Sequence, residues 1–413
     1  MSDPVVIIGA GQAGAKAAET LRKLGVTQPI LMFGEEKHLP YQRPPLSKKF
    51  LLGGVPESQL QLQTTDFYAR NNIEVVTGKR VVRLDPDGHS IEFEDGTRQT
   101  FDKALITTGS SPRRLNVEGA DLQGVHALRS IAHVLAMRDE LPAANDVVIV
   151  GGGYLGLETA AVMSGLGKSV VLIEAEDRIL ARVAGVEIAE HLARLHANRG
   201  VKIITRARLS KIVGSARVAG VELGDGTRYS ADLVLIAVGG IANDELARLS
   251  GLACNDGVLV DTGGSTGWRG VYAAGDCARF FSRRYGRFVR LESVQNANDQ
   301  ARAVAEHMAG RKVTYDPVPW FWSDQFETKL QIAGLSSGFD RHEVVGDPQG
   351  ASFSVAYYAG ARLLAVDAIN DGKAYMRARK ALAESAPLTS STGVAELRDG
   401  SASEKAAAWS MSN

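Results

Sequence analysis

Residues 4–36 read PVVIIGAGQAGAKAAETLRKLGVTQPILMFGEE, and this stretch decides the fold. An apolar, β-branched run leads into Gly9, Gly11 and Gly14, an Ala-rich helical pattern follows, and a second apolar run ends in Glu35 and Glu36. Strand, glycine turn, helix, strand and acid, with Glu35 standing 26 residues after Gly9, form the fingerprint of a dinucleotide-binding βαβ unit. Gly9 allows the tight turn, Gly11 leaves a pyrophosphate an unobstructed approach, and Gly14 lets helix and strand close up. The unpaired N–H groups at the helix start attract phosphate. Glu35 then accepts hydrogen bonds from an adenosine ribose.

The theme returns at 146–176, DVVIVGGGYLGLETAAVMSGLGKSVVLIEAE. Gly151, Gly153 and Gly156 hold the same three places, and Glu174 follows Gly151 by 23 residues. The repetition extends to EDGTRQTFDKALITTG at 94–109, echoed by GDGTRYSADLVLIAVG at 224–239, displaced by 130 residues. Asp95-Gly96 within the first copy is a hairpin signal. These duplicated units predict an α/β protein with two Rossmann-like domains, one inserted in the other: 1–110 with 240–318, and 111–239. Thr108 and Gly109 end one strand and Gly239 its copy. GVYAAGD at 270–276 reads as a last strand returning to the first domain, delivering Gly275 and Asp276 to the carboxyl edge of the sheet, where α/β proteins bind ligands.

Between these lies HLPYQRPPLSKKFLLGG at 38–54, in which Pro44 and Pro45 disfavour a helix and Arg43, Lys48 and Lys49 sit among apolar residues, so it reads as an ordered loop or short turn carrying cations. ESVQNANDQARAVAEHMAG at 292–310 has helical spacing, stopped by Gly310. From Pro317 the character changes, with Trp320 and Trp322 followed by alternating strand patterns at 353–358 and 363–369. A C-terminal α+β domain is expected over 319–383, and the Ser-, Ala- and Gly-rich stretch 384–413 reads as a loosely held tail.

Lys plus Arg and Asp plus Glu both total 47 in 413 residues, so no global charge draws the chain to nucleic acid or an anionic membrane. Cys254 and Cys277 lie 23 residues apart and form no CxxC or metal-ligand spacing. A redox dithiol of the usual kind and a resident iron–sulfur cluster are thereby excluded. With a core strand at the outset and no apolar run long enough for a bilayer, the cytoplasm is the expected compartment. The eight histidines form no metal motif; His191 and His196, five apart on a predicted helix, do not share a face and read as ordinary helix residues.

Two dinucleotide sites on one chain imply two cofactors that exchange electrons, a bound flavin and a passing nicotinamide. The first domain, completed by remote pieces including Asp276, is built to enclose FAD along its length, and the inserted domain is open enough for a diffusing NADH. Glu174 accepts from a ribose 2′-hydroxyl, whereas a 2′-phosphate beside it adds repulsion of roughly 1 to 4 kcal/mol per charge pair. Arg178 and Arg182, close in sequence, soften that preference.

The motifs GAGQAG, YQRPPLSK, GGGYLGLE, VYAAGDCA, ESVQNANDQA and PWFWSDQ resemble the NADH-dependent, FAD-containing ferredoxin reductases of bacterial oxygenases and cytochrome P450 systems, over nearly the whole chain to about residue 380. By that resemblance Ala13, Glu35, Lys48, Val81, Arg129, Asp276 and Val294 touch FAD, Asp276 at the ribityl chain and Val294, at a helix start, at the polar edge of the ring. Lys48 and Glu158 match the family's ion pair near the flavin's reactive nitrogen, which acts as a gate or as a plain structural bridge. Trp322 matches the aromatic at the flavin edge towards the acceptor, and reads equally well as core. The sequence departs from the family at Val238-Gly239-Gly240-Ile241-Ala242-Asn243, where a Val and Pro more often precede the Asn.

The resemblance implies a separate two-iron two-sulfur ferredoxin as acceptor. Such proteins are commonly acidic, so a local basic surface is expected. ARFFSRRYGRFVR at 278–290 interleaves Arg279, Arg283, Arg284, Arg287 and Arg290 with four aromatics. It reads as a dock, or as a hairpin turning at Tyr285-Gly286 with one solvated face. Two other readings stay open: an NADH-dependent reductase of a small acceptor such as a quinone or radical, and a redox interaction protein of the apoptosis-inducing-factor type.

Overall fold

The computed structural model describes residues 3–384, so the tail expected over 384–413 lies, from residue 385 onward, outside the described residues. The chain forms two compact units. The first gathers residues 3–45, 55–111 and 240–317; the second gathers 46–54, 112–239 and 318–384.

In the first unit Val5–Ile8 is the middle of a five-stranded parallel sheet, with Ile30–Gly34 and Ile73–Thr77 on one side and Lys103–Ile106 and Val271–Ala273 on the other. Val5, Val6, Ile7 and Ile8 are all buried, as expected of a parallel strand covered on both faces. The helix Gln12–Lys23 lays Ala17, Ala18 and Leu21 against Ala301, Val304 and Ala305 of the helix Val294–Met308, its alanines letting the two backbones approach closely. It stops at Leu24, followed by Gly25 in the left-handed conformation that ends many helices. A separate antiparallel sheet of Val81–Asp85, Ser90–Phe93 and Arg98–Thr100 includes the turn at Asp95-Gly96, where the Asp95 carboxylate accepts from the Thr97 N–H at 3.0 Å.

The second unit repeats the plan. Asp146–Val150 is flanked by Ser169–Ile173 and Lys202–Ile204 on one side and by Leu233–Ile236 and Val125–Ala127 on the other, all parallel. Leu233–Ile236 and Lys103–Ile106 stand 130 residues apart, the displacement read in the sequence. The edge strands differ in origin: Val271–Ala273 follows the inserted segment, whereas Val125–Ala127 precedes the second glycine turn. The duplicated hairpin is Leu209–Gly214, Val218–Leu223 and Arg228–Ser230.

The C-terminal part of the second unit is a five-stranded antiparallel sheet ordered Trp320–Gln325, Thr328–Gly334, Arg362–Ile369, Phe353–Ala359 and Arg341–Gly346, with the helix Gly372–Ala383 packed on one face through Tyr375, Ala378 and Leu382. The segment read as an ordered loop or short turn contains a short 3₁₀ turn, Pro44–Ser47, in which proline is tolerated because no intrahelical N–H is yet required. That turn straddles the passage from the first unit into residues 46–54 of the second.

Candidate active site

Both glycine turns have one geometry. A Cβ on Gly9 would stand 2.2 Å from the Thr107 carbonyl oxygen and one on Gly14 2.2 Å from the Gly9 carbonyl oxygen; Gly151 and Gly156 face the same conflicts, at 2.4 Å from Ala237 and 2.0 Å from Gly151. The middle glycines are different: within 4 Å of a Cβ on Gly11 or Gly153 there is nothing. The outer glycines are thus required by packing, and the middle ones leave space open over the turn. Gly11 and Gly153 also cap their helices without a side-chain hydrogen bond, whereas Thr64, Ser130, Ser293 and Asp371 cap other helices with theirs. Two helix starts with open space above them and no side-chain cap fit the pyrophosphates of two dinucleotides.

The acids beside the turns are placed differently, for a steric reason. In register, Ile8 opposes Phe33 and Val150 opposes Ile173, so the position equivalent to Glu174 is Gly34, not Glu35. A Cβ on Gly34 would stand 2.6 Å from that of Ala10; Gly152, in the place of Ala10, leaves room for the Glu174 carboxylate. Glu174 therefore turns inward and accepts from the Gly152 N–H at 2.7 Å and the Glu176 N–H at 2.8 Å. Glu35 lies one residue further out with 72% of its side chain exposed, 3.9 Å from Arg80. Glu36 accepts from Arg43 at 2.6 Å and from the Tyr41 hydroxyl. Burial would raise the Glu36 carboxyl, but Arg43 and Tyr41 outweigh it and hold it below the usual range.

The first unit brings several sequence candidates together around its turn. Gly275, with φ +85°, would place a Cβ 3.0 Å from that of Ala13, and its N–H donates to Gln300 Oε1 at 2.9 Å. Gln12 donates to Asn298 at 2.9 Å, which ties the fingerprint helix to the one that begins at Val294. Asp276 accepts from the Ser110 hydroxyl at 3.0 Å. Thr108 and Gly109 are held by Asn243, whose side-chain amide donates to the Thr108 carbonyl at 2.8 Å and whose N–H donates to that of Gly109 at 2.9 Å. Val81 follows a segment in which the Lys79 N–H donates to the Gly34 carbonyl. Lys48, Arg129 and Trp322 belong to the second unit.

In the second unit the Lys48 ammonium donates to Glu158 Oε2 at 2.5 Å, with 25% of the Lys48 side chain and 8% of the Glu158 side chain exposed. Glu158 sits on the buried face of the helix Tyr154–Gly165. Sequence reading missed the rest of its surroundings: the Ser47 hydroxyl donates to Oε2 at 2.8 Å and the Ser323 hydroxyl to Oε1 at 2.9 Å. The signal was present in WFWSDQ, where Ser323 and Gln325 alternate onto one face of the strand and are fully buried. On the opposite face Trp322 lies 5.7 Å, ring to ring, from Trp320. His196 lies on the helix Val186–Asn198 and, among the described residues, in no metal group, and its surroundings are specific. It is completely buried against Gln325 at 2.9 Å, while His191 meets Pro348 and the Phe353 ring, so both reach the C-terminal sheet. Nearby, the Gly185 N–H donates to the Tyr357 hydroxyl, which donates to Asp367 at 2.8 Å, and burial pushes the Asp367 carboxyl up to about 7.

The Arg178 guanidinium donates to the carbonyls of Ile179, Ala181 and Ala184 and so shapes the loop after Glu174. Arg182 stays near Gly239, whose φ is +102°. Residues 278–290 do form a hairpin, Ala278–Ser282 with Arg287–Val289. Arg279 is bonded to Asn255 and Arg290 to Asp256 and Glu292, while the Arg284 N–H donates to Asp316. Arg283, Arg287, Phe281 and Phe288 are exposed, the two rings 5.5 Å apart. Among the described residues no group of His, Cys, Asp or Glu could hold a metal ion, and no helix is long and apolar enough to cross a membrane.

Known proteins share this arrangement. Residues 3–301 match the pyridine nucleotide-disulphide oxidoreductase family and residues 320–405 the reductase C-terminal family. The chain is 41% identical to a ferredoxin–NAD(P)+ reductase of a Sphingomonas species, over 91% of this chain and 92% of that protein. It is 39% identical to the rhodocoxin reductase of Rhodococcus erythropolis, over 93% and 90%. It superimposes with a TM-score of 0.93 on a chain of the covalent putidaredoxin reductase–putidaredoxin complex, at 35% identity, over 97% of this chain and 99% of that one. The chain therefore belongs to the pyridine nucleotide-disulphide oxidoreductases, within the FAD-dependent ferredoxin reductases of oxygenase and cytochrome P450 systems.

Proposed function

We propose that this protein carries electrons from NADH through FAD to a two-iron two-sulfur ferredoxin that feeds an oxygenase or cytochrome P450. The observation that carries the reading is the pair of glycine turns in one register, each with an open middle glycine and an uncapped helix start, on a chain whose two cysteines are free thiols. FAD is assigned to the Gly9 turn, with Asp276, Gly275, Arg43 and the helix beginning at Val294; NADH is assigned to the Gly151 turn and Glu174, in a nicotinamide domain spanning 111–239. When bound, the flavin supplies the chemistry, accepting a hydride and releasing its electrons singly. The residues of the chain bind, orient and exclude water. A cytoplasmic location belongs to the same reading, with the two free cysteines in its support.

Lys48 and Glu158 are assigned as a gate beside the flavin that opens when nicotinamide stacks. Lys48→Ala should slow flavin reduction by NADH or weaken FAD retention, with little change in thermal midpoint; unchanged reduction kinetics and flavin content refute the gate. The exposed Arg283, Arg287, Phe281 and Phe288 are assigned as the centre of the ferredoxin dock, with Arg279 and Arg290 holding the hairpin in place and Arg284 anchored beside it. The whole reading is tested by the absorbance spectrum of the purified protein and by cytochrome c reduction with NADH or NADPH, with and without a two-iron ferredoxin. A yellow protein whose NADH-driven turnover depends on the ferredoxin supports it. A colourless protein overturns it, and slow turnover with every acceptor, with a long-lived NADH–flavin charge-transfer complex, points instead to the apoptosis-inducing-factor type.

A further inference from the structure

Glu158 anchors one end of a buried chain of hydrogen bonds that runs away from Lys48. Ser323 Oγ lies 2.9 Å from Glu158 Oε1, Gln325 Nε2 lies 3.1 Å from Ser323 Oγ, and His196 Nε2 lies 2.9 Å from Gln325 Oε1. Ser323, Gln325 and His196 are each 1% exposed or less. The direction of every bond follows from the carboxylate. An ionised carboxylate only accepts, so the Ser323 hydroxyl spends its one proton on Glu158 and must accept from the Gln325 amide. The Gln325 carbonyl then faces His196, which must carry its proton on Nε2. Its Nδ1 is buried without a hydrogen-bond partner, and burial holds the imidazole below the usual histidine range, neutral.

Every donor in this chain thus points towards Glu158, which also accepts from Ser47. Lys48 is the more exposed member of the ion pair, and beyond Glu158 only Ser47, among the described residues, lies within bonding range of its ammonium, at 3.5 Å. Removing one partner of a buried pair ordinarily strands a charge at a large cost. Here two hydroxyls remain on the carboxylate when the lysine leaves.

Resting on the reading of Lys48 and Glu158 as a gate, we propose that Ser323, Gln325 and His196 are positioning residues that fix Glu158 and stabilise its charge while Lys48 moves, so that Lys48 alone is the mobile half of the gate. Removing the Ser323 hydroxyl leaves the carboxylate more dependent on Lys48 and makes opening slower.

The test uses the FAD-loaded enzyme in stopped flow, at saturating and at varied NADH. Ser323→Ala should slow the limiting rate of flavin reduction roughly tenfold, the share of one hydrogen bond to a charge, with the dissociation constant for NADH and the FAD content unchanged. In a Glu158→Gln background the same substitution should add nothing; a full additional tenfold loss there overturns the proposal. If Lys48→Ala slows reduction and Ser323→Ala does not, the gate stands and this inference fails. If neither does, the gate itself fails. Should Ser323→Ala not fold, the pair His196→Phe and His196→Gln decides, because only the glutamine keeps an N–H at the place of Nε2: equal rates overturn the proposal, and rescue by glutamine supports it. Apart from activity, histidine nitrogen NMR should show one neutral imidazole protonated at Nε2 that disappears in His196→Gln; an Nδ1–H tautomer or an imidazolium at His196 overturns the assigned polarity.

Discussion

Replacing Gly152 by alanine should damage one nucleotide site and spare the other. The backbone at Gly152 is ordinary, so the added methyl acts through contact alone: it would stand 2.9 Å from Ile179 Cγ2, 3.1 Å from Glu174 Oε2 and 3.3 Å from Glu174 Cβ. Ile179 must shift, and the Glu174 carboxylate must give by a few tenths of an ångström, which lengthens the bond it accepts from the Gly152 N–H, now 2.7 Å from Oε2. The second support, from the Glu176 N–H to Oε1, remains. A hydrogen bond to a charged group contributes about 1.5 to 3 kcal/mol, and each 1.4 kcal/mol is about a factor of ten, so weakening it by about half should raise the KM for NADH roughly 3- to 10-fold. NADPH, which gains nothing from that carboxylate, should lose little, narrowing the ratio between the two coenzymes. FAD content should stay stoichiometric, because the first turn already carries Ala10 opposite Gly34. Steady-state cytochrome c reduction with both coenzymes, with flavin content read from the spectrum, is the assay. A KM for NADH within about twofold of the parent, or loss of FAD, refutes the steric account.

Gly275→Ala forces an L-residue into φ +85° and against Ala13, a cost of about 1 to 2 kcal/mol from the backbone alone, and should lower both thermal midpoint and FAD retention, measured by melting and by released flavin. Asp367, pushed up to about 7 by burial from an ordinary value of 3.8, binds its proton more tightly in the folded chain. Folded stability should therefore fall as pH rises from about 4 to about 7, by roughly 4 kcal/mol in total, and level off above. Asp367→Asn should abolish that slope, so melting curves that run parallel across this window would contradict the assignment. Reversing Arg283 and Arg287 to Glu should slow ferredoxin reduction at low salt and leave NADH-driven dye reduction intact; equal ferredoxin rates would move the dock elsewhere.

Much of the architecture was legible because it is periodic. Val5–Ile8 and Asp146–Val150 announce themselves by continuous apolar runs, the glycines by spacing, and the duplication by a fixed displacement that the strands Lys103–Ile106 and Leu233–Ile236 reproduce. What escaped was set by contacts distant in sequence. The offset between Glu35 and Glu174 depends on whether Ala10 or Gly152 stands opposite the strand end, a comparison visible only in register. That Arg178 bonds to the carbonyls of its own loop is likewise a tertiary detail that no local pattern shows. The partner of His196 was not legible because helical spacing says which way a side chain points, not that Gln325 waits 129 residues away.

The passage of residues 46–54 into the second unit bears on how this enzyme can be taken apart. A genetic exchange that lifts out 112–239 as a self-contained coenzyme cassette, the cut that the paired fingerprints invite, carries Glu158 with it but leaves Ser47, Lys48 and Ser323 behind. The transplanted helix would then present a buried carboxylate stripped of its cation and both hydroxyls, a defect of about 3 to 5 kcal/mol. Chimeras between relatives should therefore move three pieces of chain in concert, or replace Glu158 at the same time.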